Sequence, residues 1–450
     1  MPSTTSHINM TEGGLFRKLL LFSLPLLLSG VMQQSFNSVD IAVVGRWAGR
    51  EALAAVGNNG VVISLIVNLF VGISIGANVV IANYIGAKDA EGIRKSIRTS
   101  AVVALWSGVA LLLLTLAVAR PLLQWVDTPP EVIDHAVLYL RIFALGMPFM
   151  MVYNFGSAIL RSLGDTRRPF YALVAAGILN IALNLVFVIN FGMGVAGVAI
   201  ATVLSNVLAA VLVVVFLVNE PEPYRLHLRR AFKTDIRDLK EILRIGLPAG
   251  IQSMVFSISN VFILGAINRF GADAAAGSSV ALNYEYYCYY VISAFAQAAV
   301  AFVSQNYGAG KYERCRKVFR LTMAMSLVSC GALNIFIALE SGIFAEVFTQ
   351  DPEVIRYAGI RMHHVLMFQF LASSYEIAAA CMRGYGYSTT PAILTIFGTC
   401  VVRLAWVWWL TRYGGTFPQL MDIYPITWVI TGVLVLTAYF LTARRALHRA

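Results

Sequence analysis

Charge is what this chain has least of. Only 13% of its 450 residues are Asp, Glu, Lys or Arg, against 58% hydrophobic residues, and the mean hydropathy is +0.73. Soluble domains carry about 25% charged residues, so the composition argues against a water-facing globular fold and for a polytopic membrane protein. Motif chemistry is missing as well. The five cysteines, Cys288, Cys315, Cys330, Cys381 and Cys400, lie in or beside apolar runs without Cys-x-x-Cys spacing, which speaks against a disulfide framework or a zinc site and for small buried hydrophobes. His363 and His364 are adjacent and would project to different faces of a helix, a poor metal pair. There is no His-Glu-x-x-His, no Walker A loop and no Gly-x-Ser-x-Gly. Neither an enzyme nor a cofactor is expected, and without a nucleotide loop the power source must be an ion gradient.

Apolar sequence is what is there. Twelve runs long enough to cross a ~30 Å hydrocarbon core lie at 19–46, 54–84, 99–119, 137–161, 169–190, 195–218, 243–269, 276–306, 319–340, 361–382, 391–412 and 424–443. The second and eighth are long enough to tilt or bend. The run after Arg17 and Lys18 exceeds a signal-peptide core and reads as a retained helix. With the loops assigned alternately to two sides, 25 of the 34 Lys and Arg fall on the side of both termini, 7 on the other, and Arg141 and Arg403 lie inside helices. By the positive-inside rule both termini are cytoplasmic. Topology thus accounts for the net charge of +11, and nucleic-acid binding is not needed to explain it.

The chain also repeats itself. A shift of 222 positions brings Gly86-Ala87 onto Gly308-Ala309, Arg94-Lys95 onto Arg316-Lys317, Pro130-Glu131-Val132 onto Pro352-Glu353-Val354, and Arg161, Gly164 and Pro169 onto Arg383, Gly386 and Pro391. One further residue aligns Leu24-Pro25 with Leu247-Pro248. The fold class expected is an all-α membrane protein, with twelve transmembrane helices in two six-helix bundles related by pseudo-two-fold symmetry about the membrane normal. The bundles would be 1–218 and 242–450, joined by a cytoplasmic linker, 219–241. That linker carries Arg225, Arg229, Arg230, Lys233, Arg237 and Lys240, and Asp235 to Ile245 reads as an interfacial helix. Asp127 to Glu131 and Asp351 to Glu353 read as helix-start signals. Pro25 and Pro248, a few residues into their helices, are candidate hinges.

Against this apolar background the polar residues stand out. Asp40 lies inside the first run, where a carboxylate costs roughly 3 kcal/mol to insert and marks a functional site by default. Asn37 and Gln33 precede it by three and seven residues on the same helical face, with Gln34 beside them. Its candidate companions are Asn154, Asn180, Asn184, Thr202 and Asn206; Asn180 and Asn184 share a face with Gly177, which lets a neighbouring helix approach closely. Such a carboxylate among amide and hydroxyl oxygens can titrate a proton or help hold a small hard cation, with Na+ at Asp40, Asn180 and Asn184 the form such a site would take. In the second half Ile263 stands opposite Asp40, so the repeat is not functionally symmetric. The inward acids there are Glu285, in an aromatic stretch that includes Tyr289, and Glu376, which follows Gln369 and Ser373. Carboxylate and aromatic faces together attract organic cations. Arg403 can pair with either acid and neutralise it.

Leu24-Pro25, the later Asp40 and the stretch Arg161-Ser-Leu-Gly-Asp-Thr-Arg-Arg-Pro169, partnered by the Arg383 to Pro391 region, together resemble the multidrug and toxic compound extrusion (MATE) family over nearly the whole chain. The resemblance implies an inner-membrane, multi-pass antiporter that expels amphipathic, often cationic, compounds in exchange for H+ or Na+. It maps the family's first-half ion site onto Asp40, Asn154, Asn180 and Thr202, and places Asn184 where many relatives carry Asp. Members with a second-half site carry acids on the seventh and tenth helices; this chain has none between Ile245 and Asn268, and its Glu376 stands about a turn from the usual tenth-helix position. Small organic molecules, the coupling ion and the bilayer are the partners expected, with the chain acting as a monomer. A flippase for a lipid-linked saccharide or cell-wall precursor is the alternative; it would need several cavity cations to hold pyrophosphate. A receptor or scaffold would need larger loops than these.

Overall fold

The computed structural model describes residues 7–125, 128–227 and 234–448. No strand occurs among them. Twelve helices long and apolar enough to cross a membrane follow one another: α1 (Leu15–Trp47), α2 (Glu51–Ala87), α3 (Ala90–Trp125), α4 (Ile133–Ser162), α5 (Arg167–Asn190), α6 (Gly194–Val218), α7 (Ile236–Asn268), α8 (Ala272–Gly308), α9 (Tyr312–Leu339), α10 (Pro352–Gly384), α11 (Thr389–Tyr413) and α12 (Phe417–Arg444). All twelve expected runs are there.

Several helices outrun their apolar stretch because polar caps start them early. Asp89 accepts from the amides of Glu91 and Gly92 at 3.1 and 3.0 Å, so α3 begins nine residues before its hydrophobic run. Asp235 does the same for Arg237 and Asp238 at 2.9 and 3.2 Å. The segment from Asp235 to Ile245 is therefore not a separate interfacial helix; from Ile236 it is the first turns of α7, with its cap held by Thr99. Asp351 caps α10 through the amides of Glu353 and Val354, as expected, whereas Val132 leads into α4 with no side-chain cap. Asp127 and the linker cations Arg229, Arg230 and Lys233 lie outside the described residues.

Regular geometry fails at three places. α10 is α-helical to His364, 3-10 over Leu366–Ala372, and α-helical again from Ser373. π-Helical turns close α5 at Leu185–Asn190 and interrupt α11 at Ile396–Val401. Such wide turns recur at functional positions in helices.

Packing separates the chain into two compact units. One holds Leu28–Met254 with the segment before Met10; the other holds Met10–Leu27 with everything from Val255 onward. The division falls inside α1 and α7 instead of in the linker. Within the first unit, Ile81, Ile93, Ile97, Ile159, Leu160, Ala172 and Val213 form a buried core drawn from α2 to α6. Here α2 and α7 cross with their backbones almost touching: a β-carbon on Gly72 would sit 2.3 Å from Gly250 Cα, and one on Gly246 would sit 2.5 Å from Ile73 Cα. Gly72-x-x-x-Gly76 on one helix meets Gly246-x-x-x-Gly250 on the other, the small-residue seam that brings helices together in lipid. Within the second unit, Phe22 meets Phe302 edge-on at 5.4 Å and Phe319 stacks on Tyr439 at 4.0 Å. Gly164 (φ 94°) and Gly386 (φ 84°) make the same left-handed turn in the two sequence repeats.

Candidate functional site

In the first unit the apolar sequence of α1 and α5 leaves few polar side chains, and those present find one another. Gly177 of α5 has no side chain because the ring of Phe36 occupies the place, 1.9 Å from where a β-carbon would be. That contact draws α1 onto α5. One turn beyond Phe36, Asp40 accepts a hydrogen bond from Asn184 Nδ2 at 2.5 Å. The same nitrogen donates to Asn180 Oδ1 at 3.1 Å, Asn180 Nδ2 donates to Thr202 Oγ1 at 3.4 Å, and the Thr202 hydroxyl donates to Val198 O at 3.0 Å. The result is a single polar chain running from α1 through α5 to α6. Asn184 is fully buried, and its Oδ1 has no hydrogen-bond partner among the described residues. A buried acceptor without a donor costs about 1–3 kcal/mol.

Tyr139 of α4, 7% exposed, completes the group: it hydrogen-bonds with Thr202 and lies within electrostatic range of Asp40. Sequence reasoning missed it. Asn154 does not join. Its amide nitrogen donates to Met150 O at 2.8 Å within α4, because a polar side chain facing lipid-like surroundings finds its own helix carbonyl first. Asn206 lies instead against Gly146 of α4. Gln33 and Asn37 are exposed on α1 and Gln34 is partly buried.

The second unit arranges its charges differently from the sequence expectation. Glu285 is paired, but with Arg361: the guanidinium donates to both carboxylate oxygens at 2.6 and 2.9 Å, and both side chains are almost fully buried. Glu285 therefore presents no net charge to a ligand. Gln369, in the 3-10 segment of α10, donates to Glu285 O at 3.0 Å and accepts from Asn334 at 3.4 Å, so it braces this pair. Glu376 receives a hydrogen bond from Tyr289, which is 37% exposed, and lies within electrostatic range of the buried Arg383. Arg403, expected to pair with one of these acids, meets neither. It is 1% exposed, donates to Thr427 Oγ1 at 3.1 Å and lies over the rings of Tyr424, Phe256 and Trp428 at 4.4, 5.6 and 5.9 Å. One of its terminal nitrogens is buried with no hydrogen-bond partner among the described residues. No cluster of three or more His, Cys, Asp or Glu side chains that could hold a metal occurs among the described residues.

Residues 25–186 and 248–409 each match the MatE family model. The two matches start 223 residues apart, the spacing that aligns Pro25 with Pro248. YoeA of Bacillus subtilis, named a probable multidrug resistance protein, is 29% identical over 438 residues, 95% of this chain and 94% of its own. MATE crystal structures in a bent and in a straight conformation are 25% identical to this chain and superpose with TM-scores of 0.88 and 0.89, each over 98% of it and over 98% and 99% of their own length. Two family matches covering most of the chain, on twelve membrane-length helices with an internal acid and no catalytic motif, identify it: the chain belongs to the MatE family of membrane transporters.

Proposed function

We propose that this protein is an antiporter that expels amphipathic organic compounds in exchange for H+ or Na+ by alternating access, with Asp40 as the coupling acid. The observation that carries the reading is the fully buried Asn184 Oδ1, without a donor, on the amide whose nitrogen already serves Asp40. With Asp40 charged, its oxygen draws on the Asn184 N–H. A proton arriving on Asp40 removes that demand and supplies an O–H for a nearby acceptor. A Na+ arriving instead is a transported substrate suited to the same oxygens, those of Asp40, Asn184 and Thr202. Either event re-sorts the bonds that tie α1 to α5. Pro25, fifteen residues earlier in α1, denies Leu21 its helical amide partner and gives the helix a place to bend. Crystal structures of MATE in a bent and in a straight conformation support a reading with two states.

The export of foreign compounds follows relatives named multidrug resistance proteins. A preference for cations rests on Glu376 with Tyr289, since the Glu285 charge is answered by Arg361. Both termini are placed in the cytoplasm by the charge bias of the loops, the membrane is the bacterial cytoplasmic one, and the chain works as a monomer. Asp40, Asn180, Asn184, Thr202 and Tyr139 form the coupling group in this reading. The flippase alternative would draw on Arg403 and Arg141; Arg141 is exposed on α4, and the one caged guanidinium of Arg403 is a poor match for a pyrophosphate.

The test is efflux of a fluorescent lipophilic cation from proteoliposomes under separately imposed H+ and Na+ gradients. One gradient drives efflux in the wild type, and Asp40→Asn lowers the driven rate at least tenfold while the protein still binds the dye. Driven efflux that survives in Asp40→Asn would sink the assignment.

A further inference from the structure

A cavity in the first unit, far along the chain from Asp40, is lined by more positive charge than its surroundings balance. It has a volume of about 330 Å³, at the lower end of the ~300–1,000 Å³ of small-molecule sites. Arg94 and Arg98 reach it from the first turns of α3, and Arg225 and His227 from the segment after α6. Glu222 is the one acid in its lining among the described residues. That carboxylate is shared, 3.3 Å from Arg94 and 2.7 Å from His227. The Nε of Arg225 donates to Val218 O at 2.8 Å, which fixes the stem, and its two terminal nitrogens have no hydrogen-bond acceptor among the described residues. The Nε of Arg98 is buried with no hydrogen-bond partner among the described residues. Ile97 and Leu226, 1% and 5% exposed, form the apolar wall.

Guanidinium forks against an apolar wall, at the end of a membrane-length helix, match one chemistry. Planar Arg donors pair two-by-two with phosphate oxygens, and basic pockets among membrane helices on the cytoplasmic side hold anionic headgroups. We propose that Arg94, Arg98 and Arg225 form a binding site for a phosphate ester or diester, filled in the membrane by the headgroup of an anionic phospholipid. Its position in the cytoplasmic leaflet rests on the charge-bias topology. The site is independent of the transport reading, because none of its residues belongs to the coupling group.

Native mass spectrometry of the full chain, delipidated in detergent and supplied with phosphatidylglycerol or phosphatidylcholine, tests it. Phosphatidylglycerol stays bound and phosphatidylcholine is lost. With about fivefold in affinity per arginine at a membrane surface, Arg98→Gln/Arg225→Gln weakens retention by roughly twenty-fivefold, while Arg98→Lys/Arg225→Lys, which keeps both charges and gives up the forks, retains more than the Gln variant and reports that the fold survives. Arg316→Gln/Arg320→Gln removes the same charge elsewhere and leaves retention unchanged. Inorganic phosphate added at constant ionic strength separates the sources: displacement of the lipid at millimolar levels keeps the phosphate site and makes soluble phosphate esters its ligand as well. Equal retention of phosphatidylglycerol by the Gln variant, or phosphatidylcholine held as firmly as phosphatidylglycerol, overturns the proposal.

Discussion

Arg361 and Arg403 are both buried in the second unit and meet opposite surroundings. Arg361 faces a carboxylate bidentately, so Arg361→Met strands Glu285 as a buried, uncompensated charge. Breaking a buried pair from one side costs about 3–5 kcal/mol, whereas replacing both members with apolar groups of similar size is often neutral. Arg403 faces aromatic rings and one hydroxyl; Arg403→Met gives up a cation–π contact of about 0.5–2 kcal/mol and removes a guanidinium nitrogen that has no partner. Thermal unfolding in detergent should therefore show a large drop in Tm for Arg361→Met, a small change for Arg403→Met, and recovery in Glu285→Gln/Arg361→Met. Equal drops for the two single variants would mean that the Glu285 pair is not what holds the region. At this scale the sequence was half legible. Asp40, Asn180, Asn184 and Thr202 announced themselves because a polar side chain in an apolar run is conspicuous. Tyr139 did not, since a tyrosine near a helix end reads as an interfacial aromatic. Arg361 did not either: its partner lies 76 residues away, and nothing in the local pattern encodes that distance.

Elements were easier to read where length and polarity suffice and harder where backbones meet. The twelve runs located twelve helices because the bilayer core demands about 20 apolar residues whatever their order. The 3-10 segment at Leu366–Ala372 was invisible, having neither Gly nor Pro to mark it. The α2–α7 seam was legible in principle: Gly-x-x-x-Gly occurs in both helices, and the pattern went unread beside the louder Pro248 between Gly246 and Gly250. Its consequence is sharp. A β-carbon on Gly250 would lie 2.1 Å from Leu69 O, a backbone atom that cannot swing aside, while one on Gly265 of the same helix would meet nothing within 4 Å. Gly250→Ala should lower Tm by an amount reflecting at least the 1–3 kcal/mol of an overpacked core, with reduced folded yield. Gly265→Ala should be neutral or stabilising, because alanine is the better helix former by about 1 kcal/mol. Similar Tm values for the two variants would show that the helices separate freely and that the seam is not tight.

For the whole molecule, the repeat was plain in sequence and the packing division was not. An offset of 222 or 223 residues cuts the chain at the linker, but compactness depends on which helix segments touch, and α1 and α7 each contribute to both units. Nor does repetition carry function across: Asp40 meets an amide chain in one half, and its counterpart Ile263 is simply buried. One charge cluster that ties stability to pH lies at another asymmetric place, the end of α6. There Glu220, 4% exposed, is ion-paired with Arg168 and lies 3.3 Å from His7, and Arg168 also pairs with Asp165, whose carboxylate caps α5. Burial pushes the Glu220 carboxyl up, but His7 and Arg168 outweigh it and hold the group below its ordinary range, about 4.3 in an unfolded chain. Because the folded form releases its proton more readily than the unfolded one, the unfolded state binds more protons in acid, and stability falls with pH. The contribution is complete above the unfolded value, shrinks as pH falls below about 4.3 and is gone once pH passes the folded value. Tm should therefore be lower in Glu220→Gln than in the wild type at pH 7, with the gap closing as both are taken down through pH 4 to pH 3 in detergent. A gap that stays constant over that range would mean that Glu220 acts through shape alone, and that the acid sensitivity of the molecule is set elsewhere.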